Sequence, residues 1–284
     1  MKWGDILKFK RCVFISLVVG VGIATLFSGF TIYNEYEARS AARQMVLRYY
    51  EDFQAGDDES IYELLHPESR EGLGKENIMT WLEQLRETME IESFEIKDIQ
   101  LKNNLRMGEN SVADGISVQV SETNRDLYTT EVLSSEIQYL LLRNVQGEYR
   151  IYFDQRRVLS SMAKNHIIIG AMYIDGFGKD KDLTQGIEHL YKALEIDPTL
   201  IEVHYSLGAA YLAKREWEPA IVEEETYLTN SQDDEGRGEA YNIIGLAYQE
   251  TGDRAKAREA FEQAIQLNPE SPFALDHLNE LNNE

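Results

Sequence analysis

The chain has 284 residues, enough for about two domains at roughly 100–200 residues each and for cores that need neither disulfides nor metal ions. Its 28 Lys+Arg stand against 50 Asp+Glu, a formal net charge of −22 that repels phosphate backbones and counts against nucleic-acid binding. A single cysteine excludes an internal disulfide and a Cys-based metal site, and 43% hydrophobic residues exclude a disordered composition.

The charge is uneven: +2 over residues 1–40, −10 over 41–160 and −14 over 161–284. Within the basic end, Cys12 to Tyr33 reads CVFISLVVGVGIATLFSGFTIY, 22 residues without a charge, and roughly 20 apolar residues cross a bilayer as a helix. This predicts a transmembrane helix over 12–33. Lys2, Lys8, Lys10 and Arg11 precede it, whereas Glu35 and Glu37 follow it together with Arg39 and Arg43. The positive-inside rule then makes residues 1–11 a cytoplasmic tail and gives a single-pass protein of the cell membrane, with its C-terminal domains extracytoplasmic. A cleaved signal peptide is the alternative, although only Gly22 with Ala24 or Gly29 with Thr31 approach the small-residue cleavage pattern. An inverted topology, with a cytoplasmic adaptor, is a further one.

Over 38–155 the expected order is helix, helix, helix, then strands. Ala42, Val46, Tyr49 (or Tyr50) and Phe53 recur at helical spacing, and Gly56-Asp57-Asp58 breaks that helix and caps the next, Glu59 to Leu65. A third helix is predicted from Lys75 to Met89, with Ile78, Trp81, Leu82, Leu85 and Met89 as its buried stripe. The period then changes to two. Phe94 to Leu101, Val112 to Val120, Tyr128 to Leu142 and Tyr149 to Phe153 read as four strands, with turns at Asn103–Asn110, Glu122–Arg125 and Asn144–Gly147. Helices followed by an antiparallel sheet imply an α+β cone whose sheet wraps the first helix.

The stretch ARQMVLRYYEDFQAGDDESIYELLHPESREGLGKENIMTWLEQL, with its aromatic pair, acidic break, Leu65-His66-Pro67-Glu68-Ser69 turn and helix start at Lys75-Glu76-Asn77, resembles the opening of an NTF2-like domain. It is similar in particular to the NTF2-like domain that precedes the transpeptidase domain of some penicillin-binding proteins. No Ser-x-x-Lys follows in a transpeptidase setting, so that activity is not implied. Some NTF2-like proteins are enzymes with a carboxylate base facing a hydrogen-bond donor inside the cone. Tyr49, Tyr50, Trp81 and Tyr139 are candidates by type, but aromatic residues at these spacings read as core.

From residue 160 onward the chain repeats itself. Ile168-Ile169-Gly170-Ala171-Met172-Tyr173, Ser206-Leu207-Gly208-Ala209-Ala210-Tyr211 and Ile243-Ile244-Gly245-Leu246-Ala247-Tyr248 share one pattern, and Ala193 to Pro198 aligns with Ala264 to Pro269. These motifs resemble the tetratricopeptide (TPR) repeat, with a Sel1-like longer loop at Asp175–Asp180. Three repeats, at about 163–198, 201–234 and 238–271, are expected to stack as an all-α solenoid, closed by a capping helix at Ser271–Leu281 with Leu275 and Leu278. In the middle repeat Glu224 and Tyr227 occupy positions that usually hold an aromatic residue and an alanine.

The resemblance implies a protein- or peptide-binding groove on the first helix of each repeat. Counting along those helices places Ile167, Ala171 and Ile174, then Tyr205, Ala209 and Leu212, then Asn242, Leu246 and Gln249 in it. Lys164 is its one lysine, which disfavours a clamp for a terminal carboxylate. His66, His166, His189, His204 and His277 form no zinc motif, Gly72-Leu73-Gly74-Lys75 is no P-loop and Gly176-Phe177-Gly178 is no dinucleotide fingerprint. The reading is therefore a non-enzymatic, cofactor-free scaffold or adaptor, anchored to the membrane through residues 12–33 and acting in envelope assembly or maintenance. The alternative is an NTF2-like small hydrophobic ligand-binding protein or enzyme with an accessory TPR array. Oligomeric state is left open.

Overall fold

The computed structural model describes residues 33–107, 111–270 and 272–283. The chain divides into two compact units: one gathers the described residues up to Lys75 with Ser93–Thr123 and Ser134–Asp154, the other Glu76–Glu92, Asn124–Leu133 and the residues from Gln155 onward.

In the first unit, helix α1 (33–55) buries Ala42, Val46, Tyr49, Tyr50 and Phe53 along one face, so both tyrosines of the pair are inside. Helix α2 (Asp58–Leu64) is capped by Asp57, whose side chain accepts from the Ser60 amide. Helix α3 (Pro67–Leu73) was expected only as a turn. Pro67 stands at its first turn, where a missing N–H costs nothing, and the His66 side chain caps it. Four strands follow in sheet order β1 (Met89–Met107), β2 (Ser111–Asp126), β3 (Val132–Arg143) and β4 (Tyr149–Tyr152). β3 and β4 are antiparallel, with Leu141 opposite Ile151, and the expected turn at Asn144–Gly147 joins them.

Three expectations about the sheet are corrected. The turn expected at Asn103–Asn110 does not begin at Asn103, because β1 runs on to Met107. Glu122–Arg125 is not a turn: β2 continues through it to Asp126, and the turn comes after, with the Asp126 carboxylate accepting from the Tyr128 and Thr129 amides. β1, not β3, is the long strand, at 19 residues. Ile116, Val118 and Val120 are fully buried on the inner face of β2, while Asp98, Gln100, Lys102, Gln119 and Glu136 line a polar hollow elsewhere on the sheet.

The second unit contains α4 (Lys75–Thr88, from Glu76 on) and a series of helix pairs: α5 (Gln155–Asp175) with α6 (Leu183–Ile196), α7 (Ile201–Ala213) with α8 (Trp217–Asn230), and α9 (Asp234–Thr251) with α10 (Arg254–Leu267). The expected stripe of α4 is rotated: Ile78, Trp81 and Leu82 are buried, but Gln84 and Thr88 replace Leu85 and Met89. The cause is polar packing on α5, where Trp81 Nε1 donates to Ser161 Oγ at 3.2 Å and Gln84 Nε2 meets His166 Nε2 at 2.9 Å. Helix α11 (Pro272–Asn283) ends the series by burying Ala274 and Leu281, while Leu275, expected inside, is half exposed.

The fold class is corrected in one respect. The architecture is a helical repeat array with a small antiparallel sheet, and no helix of the described residues is long and apolar enough to cross a membrane. α5, 21 residues long, carries Arg156, Arg157, Lys164, Asn165 and His166 along its length. The segment 12–33, and with it the expected anchor and membrane partnership, lies outside the described residues apart from Tyr33.

Candidate functional site

Each helix pair of the array closes at a glycine. A Cβ on Gly170 would lie 3.1 Å from the Gly186 carbonyl and 3.2 Å from Leu190 Cγ; one on Gly245 would enter the Phe261 ring. Gly208 occupies the same place in the middle repeat, and there a Cβ would run into the Glu224 side chain, 2.6 Å from its Cγ. The same slot thus receives leucine, glutamate and phenylalanine in successive repeats.

All nine residues expected from the sequence to line a groove are half buried on the first helices of the pairs, α5, α7 and α9. They differ in what holds them. Ile167 and Ile174 pack against a cluster of Ile187, Leu190, Val203 and Leu207, and Leu246 packs against Phe261 and Leu281. Asn242 Oδ1 meets His277 Nδ1 of α11 at 2.8 Å. Tyr205 donates to Glu239 Oε2 at 2.7 Å and packs on Tyr227, with 5.6 Å between ring centroids; burial, then the Glu239 bond, raises its phenol above the usual range. Gln249 Oε1 is buried without a partner. Ala171, Ala209 and Leu212 complete the set. A separate cleft of about 580 Å³ lies between α8, α9 and α10, lined by Leu228, Tyr241, Ile244, Tyr248 and Ala260.

Residues 238–271 match the tetratricopeptide repeat family model. They contain Gly245, Tyr248, Ala264 and Pro269, positions singled out from the sequence. No curated protein matches the chain. Among solved structures, the first TPR of Spaghetti (RPAP3), bound to an HSP90 peptide, is 17% identical with a TM-score of 0.39, covering 44% of this chain and 93% of its own. The Arabidopsis OM64 TPR domain is 16% identical with a TM-score of 0.40, covering 44% of this chain and 98% of its own. MamA from Desulfovibrio magneticus RS-1, residues 41 to the end, is 23% identical with a TM-score of 0.38, covering 45% of this chain and 73% of its own.

Two polar constellations escaped the sequence reading, and a third, at Glu224, was marked only by its position. In the first unit, Tyr50 donates to the Glu122 carboxylate, Tyr139 donates to the Tyr50 oxygen at 2.9 Å, and Glu122 is only 3% exposed. Tyr50 stacks on Phe94 with 3.8 Å between centroids, and burial raises both phenols. The signal was parity: Glu122 follows Ile116, Val118 and Val120 on the inward register of β2. Of the aromatic candidates, Tyr49, Tyr50 and Tyr139 come together here, and Trp81 belongs to the α4–α5 contact instead.

In the second unit, His166 and His189 face each other with 3.0 Å between Nδ1 atoms. Burial, then His189, lowers His166 to about 4. Nothing in their spacing of 23 residues announced the pair. The third constellation is Glu224, fully buried with both carboxylate oxygens unpartnered. Burial, then the charges of Glu223 and Glu239, pushes it up to about 9. No group of three or more metal-ligating side chains occurs among the described residues.

Proposed function

We propose that the chain is a protein-interaction module whose helical array binds a segment of a partner protein along α5, α7 and α9, and that it serves as a scaffold or adaptor. The observation that carries the reading is the repeated glycine-centred helix pair, matched over residues 238–271 by the tetratricopeptide repeat model. α5 and α7 present half-buried apolar residues over three turns each and α9 adds Leu246 between Asn242 and Gln249, and such surfaces mark interfaces. Along these helices the acids Asp175, Glu202, Asp234, Glu235, Glu239 and Glu250 outnumber Arg156, Arg157, Lys164 and Arg237, so an apolar segment with neutral or basic flanks suits the groove better than a terminal carboxylate. On the same footing we infer that the first unit is an NTF2-like domain, from its leading helices, its four-strand order and the aromatic pair of α1.

The test is a photoreactive residue at position 205 with identification of the captured protein. Because Leu246 is part of the Phe261 cluster, the control substitution is Ala209→Arg, which adds bulk at a half-exposed position. One captured protein, lost in A209R, supports the groove; capture unchanged by A209R sinks it. A second reading, a small hydrophobic ligand in the first unit, has one observation in its favour, the buried Glu122 facing Tyr50 and Tyr139. Tyr50→Phe with unchanged binding of a fluorescent apolar probe would remove it.

A further inference from the structure

The middle repeat places an ionisable group where its neighbours place hydrocarbon. Leu190 fills the slot beside Gly170 and Phe261 the slot beside Gly245, while Glu224 fills the slot beside Gly208. Glu224 is 0% exposed, and neither carboxylate oxygen has a hydrogen-bond partner. A buried carboxylate without donors is stable only as the neutral acid, since burial penalises charge far more than it penalises a carboxylic acid.

The two charges that act on it are both negative, Glu223 and Glu239. On α7, Tyr205 is committed to Glu239, and His204 Nδ1 is committed to Glu223 Oε2 at 2.6 Å. On α8, Glu223 also accepts from Tyr191 of α6 at 2.7 Å, and Tyr227 packs on the Tyr205 ring. On α9, Glu239 adds a second negative charge. Ionisation would therefore put a third carboxylate charge beside Glu223 and Glu239 in a dry slot.

We propose that Glu224 is a proton-binding site built into the helix packing: α7, α8 and α9 close around its neutral acid, and loss of that proton loosens the middle repeat beneath Tyr205. The linkage has a definite sign. The folded state holds the proton up to about pH 9. The opened state, with an ordinary carboxyl, releases it near 4.5. Closed packing is then fully favoured below about 4.5 and weakens through neutral pH by about tenfold in the opening equilibrium per pH unit, levelling off above about 9. The proposed groove residue Tyr205 lies on the affected contact, so the Glu224 contribution holds the middle repeat most tightly at acidic pH and releases it at alkaline pH.

The experiment is hydrogen exchange on the full chain between about pH 5.5 and 8.5, corrected for the pH dependence of intrinsic exchange, in the wild type and in Glu224→Gln. Subtracting the variant cancels the histidines and the surface acids. The expected result is an opening constant for α7–α9 that rises about tenfold per pH unit in the wild type relative to E224Q. Parallel profiles overturn the proposal. Should E224Q fail to fold, the side-chain carboxyl 13C shift of Glu224 in the wild type gives the same answer. A midpoint near 9 supports the site, and one near 4.5 overturns it.

Discussion

Seven residues after the first-helix glycine, the last repeat has Gly252 and the middle repeat has Arg215, and both adopt a left-handed backbone, at φ 83° and 62°. The next residue is Asp253 in one, whose side chain caps α10 at the Lys256 amide, and Glu216 in the other, which makes no side-chain cap. Nine residues after Gly252 and Arg215 come Phe261 and Glu224, and three further on Ala264 and Tyr227. The two repeats share one register, yet the last satisfies the strain-free turn, the cap and the apolar slot, and the middle one departs from all three. A helical array whose units are only nearest-neighbour coupled can carry such an unequal distribution of stability without losing its shape.

Substitutions at matched positions sharpen this contrast. The largest effect is expected in the well-packed repeat: Phe261→Ala removes a fully buried ring and should cost about 3–5 kcal/mol in denaturant unfolding. Glu224→Leu, which copies Leu190, should act in the opposite direction, gaining about 3 kcal/mol at pH 7. That gain should shrink as the pH falls toward 4.5, where the wild-type acid is protonated in both states. A gain that does not change with pH would break the comparison at its central position. Arg215→Gly relieves a left-handed non-glycine residue and should add about 1 kcal/mol, whereas Gly252→Arg should lose about as much. The smallest effect is Glu216→Asp, which supplies the missing cap and should add about 0.5–1 kcal/mol, read as slower exchange of the first amides of α8.

Much of the array was legible because its signals are local and steric. Gly208 and Gly245 mark close approaches that a side chain would obstruct, and Pro269 ends a helix wherever it stands. The face of α1 was legible for the same reason, since Val46, Tyr50 and Phe53 declare a single buried stripe. The polar interior was not. Gln84 lies on the buried face of α4 because His166 meets it across 82 residues of chain, a pairing that no periodicity records. Pro67 was read as a turn, although a proline is equally at home opening a helix such as α3. Charged residues at 122–125 suggested the end of a strand, but alternation holds through them and carries Glu122 inward to Tyr50. Glu224 is the intermediate case. Its position was conspicuous in the repeat alignment, while its isolation from every donor became apparent only once α7, α8 and α9 were in place.

Gly252 and Asp253 also bear on the order of events as the chain folds. A turn that adopts its native backbone without strain, followed at once by its own helix cap, lets α9 and α10 meet at little entropic cost, because only neighbouring stretches of chain have to be brought together. The folding nucleus is therefore expected in the α9–α10 hairpin. Ala264 should already be packed in the transition state, and the contacts of Glu224 should form after the barrier has been crossed.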